Sequence, residues 1–261
     1  MMKSYLKILI LVLSVTAFPV SGISLLDGMV SLDEGNATIH GVNGYIVIPS
    51  AEPAWSDNEA MVTVGYSANL AGSFSHLPYL QLGLNNSFEF VLSADVESDA
   101  AIMLNGKWRI DKKGSRSLAI GVNSQLLNIP SAIDWAAQIY AVSTFSSTFI
   151  DWPAKTTLMV GYTLSESLST DIDYGMGFQT TFMKDLFNEK VDFLLDFGNI
   201  SYCANPNVSD ATNRGMVNLG FRLLPLKLAD QVYLSGDLRA LDILDSSDRG
   251  LSIGIGLSYN P

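Results

Sequence analysis

The chain has 261 residues, of which 48% are hydrophobic and 16% are charged, and it contains a single cysteine. Beyond the first 22 residues, no stretch approaches the roughly 18 to 20 uninterrupted apolar residues that a membrane-spanning helix needs, which excludes a multi-span helical protein. One cysteine cannot form an internal disulfide, so the fold needs another source of stability. Since acidic residues outnumber basic residues by 26 to 15, the composition argues against nucleic acid as a partner.

Residues 1–22 have the order of a secretory signal peptide. Lys3 and Lys7 precede an apolar run over residues 8–15, and the segment ends at the small residue Gly22. This order predicts export from the cytoplasm and cleavage after Gly22. A retained membrane anchor is the alternative, but the apolar run is too short to cross a bilayer.

Residues 23–58 lack the pattern of the rest of the chain and are predicted to form an N-terminal extension. The apolar residues Tyr45 to Ile48 predict one short strand, which ends at Pro49 because proline cannot donate a hydrogen bond to a β-ladder. The extension either stays apart from the remaining fold or forms a plug within it.

From Glu59 onward, segments of about ten residues alternate apolar and polar side chains, and short polar breaks separate the segments. Successive side chains of a strand point to opposite faces, so each segment is predicted to be a two-faced strand. One example is the apolar set Val62, Val64, Tyr66, Ala68 and Leu70, interleaved with Thr63, Gly65, Ser67 and Asn69.

Segment length and the composition of the polar face distinguish a soluble sandwich from a membrane barrel. Sandwich strands usually run to about five or six residues, whereas a tilted strand crosses a bilayer in about 9 to 11. The polar face here is rich in Gly, Ser, Thr and Asn with isolated charges, which suits a crowded polar lumen. The sequence therefore predicts an all-β fold, an antiparallel transmembrane β-barrel over residues 59–261.

The alternation predicts about twelve strands, give or take about two, and an even count is usual for bacterial single-chain barrels. An even count also returns both ends of the barrel to the periplasmic side. The longest break, residues 202–214 with Cys203, then lies outside the cell. The predicted strands are 59–70, 76–84, 86–96, 101–110, 117–127, 134–145, 154–164, 173–182, 191–201, 215–224, 231–240 and 250–259.

Aromatic side chains give an independent indication, since rings prefer the two interfaces of a bilayer. The predicted topology turns two sets of rings toward lipid, one near each rim. The periplasmic set is Phe88, Trp108, Phe182, Phe193, Phe221 and Tyr259, and the outer set is Tyr66, Trp135, Tyr162 and Tyr174.

The same topology points nine charged side chains into the lumen. Folding the hairpin over residues 86–110 places Glu89 opposite Lys107 and Arg109, which predicts a cross-strand ion pair. Asp192 likewise comes near Arg222. The charges either neutralise one another in a filled barrel or form a constriction that selects polar solutes. The full set is Glu89, Asp95, Lys107, Arg109, Asp192, Asp196, Arg222, Asp237 and Arg239.

Two short stretches carry a family resemblance. Residues 41–51 read G-x-x-G-x-I-x-x-P-S-A, and residues 82–89 read LGLNNSFE. Both resemble the start of the YjbH-type outer-membrane barrels associated with exopolysaccharide production. The resemblance implies an outer-membrane barrel with a role related to exopolysaccharide production.

Few residues could support catalysis or metal binding. His40 and His76 are the two histidines of the chain, and with Cys203 they are too few for a metal cluster. His76 follows Ser73 and Ser75 closely and is the one candidate base beside a serine hydroxyl, so a lipid-modifying enzyme depends on it. No Gly-rich phosphate loop follows a strand and opens a helix, so no cofactor is expected.

The sequence therefore predicts a non-enzymatic outer-membrane barrel of a Gram-negative-type bacterium. It acts either as a narrow porin-like pore or as a component of envelope export, including a polysaccharide-related one. A plugged structural or surface-interaction barrel is the first alternative, and a lipid-modifying enzyme is the second. The expected partners are outer-membrane lipid, the barrel-insertion machinery and periplasmic chaperones, while the solute and the oligomeric state stay open.

Overall fold

A computed structural model of the chain describes residues 37–55, 59–71, 73–97, 99–131, 133–164, 172–187, 190–199, 215–244 and 249–261. The predicted signal peptide and the predicted outer loop with Cys203 lie outside these ranges. The strands are β1 (Ala60–Ala71), β2 (Ser73–Leu84), β3 (Phe88–Val96), β4 (Ala100–Lys113), β5 (Arg116–Ile129), β6 (Asp134–Phe149), β7 (Trp152–Leu164), β8 (Ile172–Thr181), β9 (Val191–Asn199), β10 (Met216–Ala229), β11 (Val232–Leu241) and β12 (Gly250–Tyr259), with one turn of helix, α1 (Lys184–Phe187), before β9.

The twelve strands form one closed antiparallel barrel. Each strand pairs with its neighbours in the sequence, and β1 pairs with β12, where Val64 lies opposite Leu257. This arrangement confirms the predicted fold class, and every predicted strand overlaps an observed one. Some strands run further than predicted, as β6 does to Phe149, because the ladder continues through polar, exposed residues after the apolar alternation has stopped.

Apolar side chains form a belt on the outside of the barrel, and polar side chains face inward. On the outside, Val64 is 61% exposed and Leu104 is 56% exposed, whereas the inward neighbours Thr63 and Asn105 are only 2% and 6% exposed. The apolar rows do not meet in two stacked layers, so a sandwich is excluded. Within the described residues, no helix has both the length and the apolar composition that a membrane crossing requires.

Residues 37–55, here called the lumen segment, lie inside the barrel. The side chains of Ile39, Ile46 and Ile48 are fully buried, and the segment packs in one cluster with wall residues such as Tyr140 and Leu194. At its end, the ring of Trp55 packs against Tyr233, with 4.7 Å between ring centroids. The interior of the barrel is therefore built from the wall and from a separate piece of the same chain.

The lumen segment contains a tight turn where the sequence predicted a short strand. The amide of Tyr45 donates to the carbonyl of Ile48 at 2.9 Å, and an isolated bridge joins Gly44 to Pro49. The strand prediction for Tyr45 to Ile48 is wrong because a short apolar run has the same composition in a buried turn as in a buried strand.

Candidate functional site

The two glycines of the 41–51 motif let the lumen segment fold tightly against the wall. Gly41 has a φ of +86°, and a Cβ atom there would lie 2.5 Å from the ring of Tyr79. A Cβ atom on Gly44 would lie 2.3 Å from the carbonyl oxygen of Ile48. Any larger residue would therefore displace the turn, so the spacing of the two glycines has a structural cause.

Asp196 on β9 binds three consecutive backbone amides of the lumen segment. Its Oδ2 atom accepts hydrogen bonds from the amides of Ile46 (2.9 Å), Val47 (2.7 Å) and Ile48 (3.1 Å), and its Oδ1 atom accepts one from Asn218 (2.7 Å). Successive amides of a strand point in opposite directions, so three that converge on one oxygen require a turn. Such an arrangement of amides is a favourable site for an anion.

Two arginines hold carbonyl groups of the lumen segment. Arg239 on β11 donates to the carbonyl of Ala37 at 2.9 Å, and both Arg239 and Arg222 pair with Asp237, at 2.8 and 2.5 Å. Arg222 on β10 donates to three carbonyls, those of Ala37 (2.8 Å), Gly44 (2.8 Å) and Tyr45 (2.9 Å). Asp196, Arg222, Asp237 and Arg239 together form the β9–β11 anchor.

A second anchor lies across the lumen on β3 and β4. Glu89 and Lys107 form the expected cross-strand ion pair at 3.2 Å, and both side chains are fully buried. Glu89 accepts hydrogen bonds from the amides of Asn43 (2.8 Å) and Ala54 (2.7 Å). Lys107 donates to the carbonyls of Asn43 (3.1 Å) and Glu52 (3.0 Å). These contacts fix both ends of the turn.

The carboxylate of Glu52 extends this second anchor. It forms an ion pair with Arg109 and accepts a hydrogen bond from Ser117, while Lys112 lies 3.7 Å away. Glu89, Lys107 and Arg109 together form the β3–β4 anchor. Sequence reasoning missed Glu52, because a single acidic residue in a stretch without periodicity carries no signal.

Side chains of the lumen segment fill recesses where the wall has glycine. A Cβ atom on Gly177 would lie 2.4 Å from the ring of Tyr45, and one on Gly175 would lie 2.3 Å from the Cδ1 atom of Ile48. The hydroxyl group of Tyr45 also shares a hydrogen bond of 2.8 Å with Thr157. The small residues of the inward face predicted a crowded lumen. At two of these glycines, side chains of the lumen segment fit into the wall.

One small cavity lies beside the segment. The cavity between its turn and the wall of β6, β7 and β8 has a volume of about 10 Å³, which is room for about one water molecule. Its lining includes Tyr45, Glu52 and Lys155.

All nine predicted lumen charges point inward, and the structure divides them into two groups. Glu89, Lys107, Arg109, Asp196, Arg222, Asp237 and Arg239 make up the two anchors. Asp95 and Asp192 are buried, but their hydrogen bonds within the described residues do not include the lumen segment. The register places Asp192 opposite Arg222, as expected, although the guanidinium group pairs with Asp237 instead.

The ten predicted rim aromatics face outward and are exposed or half-buried. Five of them pack in two groups: Phe88 lies on Trp108 with ring centroids 6.0 Å apart, and Phe182 packs with Phe193 and with Phe221, the latter at 5.0 Å. The members are Phe88, Trp108, Phe182, Phe193, Phe221, Tyr259, Tyr66, Trp135, Tyr162 and Tyr174.

The two histidines lie in opposite environments. His40 is buried in the lumen segment, and burial together with the nearby charge of Arg239 lowers its pKa to about 3. His76 lies on the outer face of β2, where its Nδ1 atom is 2.5 Å from the hydroxyl oxygen of Tyr66. Ser75 points into the lumen, so the structure does not bring its hydroxyl group to His76. Among the residues that the structure describes, no three metal-binding side chains come together.

Comparisons with known proteins relate the chain to porins by fold alone. No family model and no curated protein matches the sequence. The structure of the KdgM porin covers 76% of this chain and 99% of its own length, with a TM-score of 0.51 and 8% identity. KdgM in complex with disordered oligogalacturonate gives a TM-score of 0.52 over the same shares, at 8% identity. The NanC porin covers 77% of this chain and all of its own, with a TM-score of 0.52 and 11% identity.

These structural neighbours are bacterial outer-membrane β-barrels, so the chain has the fold of a porin. About a quarter of its length has no counterpart in them. The resemblance to YjbH-type barrels is not shown by these comparisons and stays a prediction.

Proposed function

We propose that the protein is an outer-membrane pore whose lumen is closed by residues 37–55 and opens when this segment moves. One observation carries the proposal: buried charges of both anchors bind main-chain atoms of a segment that belongs to the chain but not to the wall. The lumen segment thereby occupies the path that a solute would take through the barrel.

The exterior supports the membrane location. A contiguous apolar surface of this extent is unfavourable in water and favourable in lipid, and aromatic groups border it. The porin fold supports the outer membrane of a Gram-negative-type bacterium, which the chain would reach by its predicted signal peptide, periplasmic chaperones and the barrel-insertion machinery.

The chemistry of the lumen supports a pore over an inert barrel. Removing charges from water costs several kcal/mol for each ion, and apolar residues of similar size would fill a barrel without that cost. When the segment leaves and water enters, the same charges line a hydrated channel. Both charge signs face the lumen, so its walls do not by themselves favour acidic sugars, and a polysaccharide-related role stays a prediction.

A permanently plugged structural barrel is the second candidate. The close fit of Tyr45 and Ile48 over Gly177 and Gly175 favours it, because such a fit stabilises the closed state. The two candidates differ in whether the segment moves. It leaves the lumen in the pore and stays in place in the plugged barrel.

The test uses the full chain with Ile46→Asp and Ile48→Asp together, here called the loosened variant. Both side chains are fully buried in recesses of the wall, at Gly220 and Gly175, so two buried carboxylates destabilise the closed state without changing the wall. We expect the wild type to show rare openings in planar bilayers and the loosened variant to conduct at least tenfold more.

The matched control is Ile46→Val with Ile48→Val, which keeps the segment apolar and should leave conductance near the wild-type value. A loosened variant that inserts as a folded barrel and passes no ions would contradict the pore and favour the plugged structural barrel.

A further inference from the structure

Among the polar contacts described between the wall and the turn of the lumen segment, nearly all involve backbone atoms of the segment. Asp196 binds three amides in succession, and Arg222 binds three carbonyls. These groups would bind any peptide in the same conformation, whatever its side chains. The wall therefore recognises a polypeptide backbone at this place.

The β3–β4 anchor shows the same recognition at a single residue. Glu89 accepts from the amide of Asn43 while Lys107 donates to the carbonyl of Asn43, at 2.8 and 3.1 Å. One acidic and one basic side chain, held together as an ion pair, thus contact both main-chain polar groups of one residue. Every residue except proline offers one such donor and one such acceptor on its main chain.

The side-chain recesses add a requirement for apolar groups at set positions. The recesses over Gly177, Gly175 and Gly220 take Tyr45, Ile48 and Ile46. Of these three side chains, only that of Tyr45 has a polar group, and its hydroxyl group shares a hydrogen bond with Thr157. Shape and apolar character therefore select what enters the recesses.

We propose that the opened lumen binds short peptides with apolar side chains, through the groups that hold the lumen segment when the pore is closed. This inference rests on the proposed function, since the site becomes accessible when the segment leaves. The segment then acts as a built-in competitor of the solute, and both bind the same wall residues.

The test measures binding of a fluorescent peptide with the sequence of residues 41–52 to the full-length loosened variant in detergent micelles. We expect saturable binding by fluorescence anisotropy. A scrambled peptide, and a peptide methylated on the nitrogens that correspond to Ile46, Val47 and Ile48, should bind at least about tenfold more weakly, because a charge-assisted hydrogen bond is worth about that factor.

Two wall substitutions, each added to the loosened variant, form a matched pair of test and control. Asp196→Asn should weaken binding of the 41–52 peptide by about a hundredfold, because it removes the charge that binds three amides. Asp192→Asn should leave it unchanged, because Asp192 is equally buried on β9 and its hydrogen bond goes to Gln179. If the loosened variant does not fold, Ile48→Asp alone replaces it.

Equal binding of the native, scrambled and methylated peptides, or no saturable binding, would overturn the inference. Binding needs no ion flux, so its failure differs from failure of the pore. A loosened variant that conducts but ignores the peptide leaves the pore standing and removes the peptide site. One that binds the peptide as expected without conducting supports the site and contradicts the pore.

Discussion

The two anchors hold the same segment with similar residues, but they depend on it differently. In the β3–β4 anchor, Glu89 and Lys107 pair with each other, so each keeps a partner when the segment leaves. In the β9–β11 anchor, three of the four hydrogen bonds that Asp196 accepts from described residues come from the segment itself. Its charge loses most of its partners on opening, so this anchor sets the stability of the closed state.

Asp196→Asn is expected to give the largest effect. The substitution removes the charge that binds three amides, a loss of about 3 kcal/mol, and should raise the open probability in planar bilayers about a hundredfold. The control Asp192→Asn should stay within about twofold of the wild type. Equal opening by both variants would mean that the β9–β11 anchor does not hold the segment.

Gly177→Ala tests the recess beside the same anchor. The new Cβ atom would lie 2.4 Å from the ring of Tyr45, and such overpacking costs about 1 to 3 kcal/mol, so conductance should rise about tenfold. Gly106→Ala is the control, because its Cβ atom would make an ordinary contact of 3.6 Å with Phe90. Opening by Gly106→Ala would point to a general loosening of the wall.

Glu52→Gln tests the β3–β4 anchor and should have a smaller effect. The ion pair with Arg109 is lost, but both side chains are about 10% exposed, so water partly replaces it. We expect a loss of about 1 kcal/mol and about a fivefold increase in conductance, which high salt reduces. An effect larger than that of Asp196→Asn would reverse the ranking of the two anchors.

Acidification should give the smallest effect. His40 has a pKa of about 3 when docked and about 6.5 when released into water. The released segment therefore binds more protons between these values, and the closed state loses stability as the pH falls through 6.5. Conductance should rise about threefold from pH 7 to pH 6 in the wild type.

The variant His40→Asn isolates the contribution of the histidine. Its conductance should stay level between pH 7 and pH 6, because asparagine binds no proton in this range. A wild-type response that persists unchanged in His40→Asn would assign the pH dependence to another group.

The wall of the barrel was predictable because its determinants are periodic. Alternation with a period of two fixes which side chains face inward, and the hairpin register then fixes pairs such as Glu89 with Lys107. The lumen segment was not predictable in the same way. Every residue except proline has an amide, so binding of Ile46, Val47 and Ile48 to Asp196 leaves no mark on the residue types.

The short connection between Trp55 and β1 affects how the lumen closes again after it has opened. Three residues separate Trp55 from Glu59, so the lumen segment is covalently tied to the mouth of its own channel. A tether this short keeps a detached end at an effective concentration of the order of millimolar. Shutting is then a unimolecular event whose rate is independent of protein concentration, and current through single molecules should come in brief bursts.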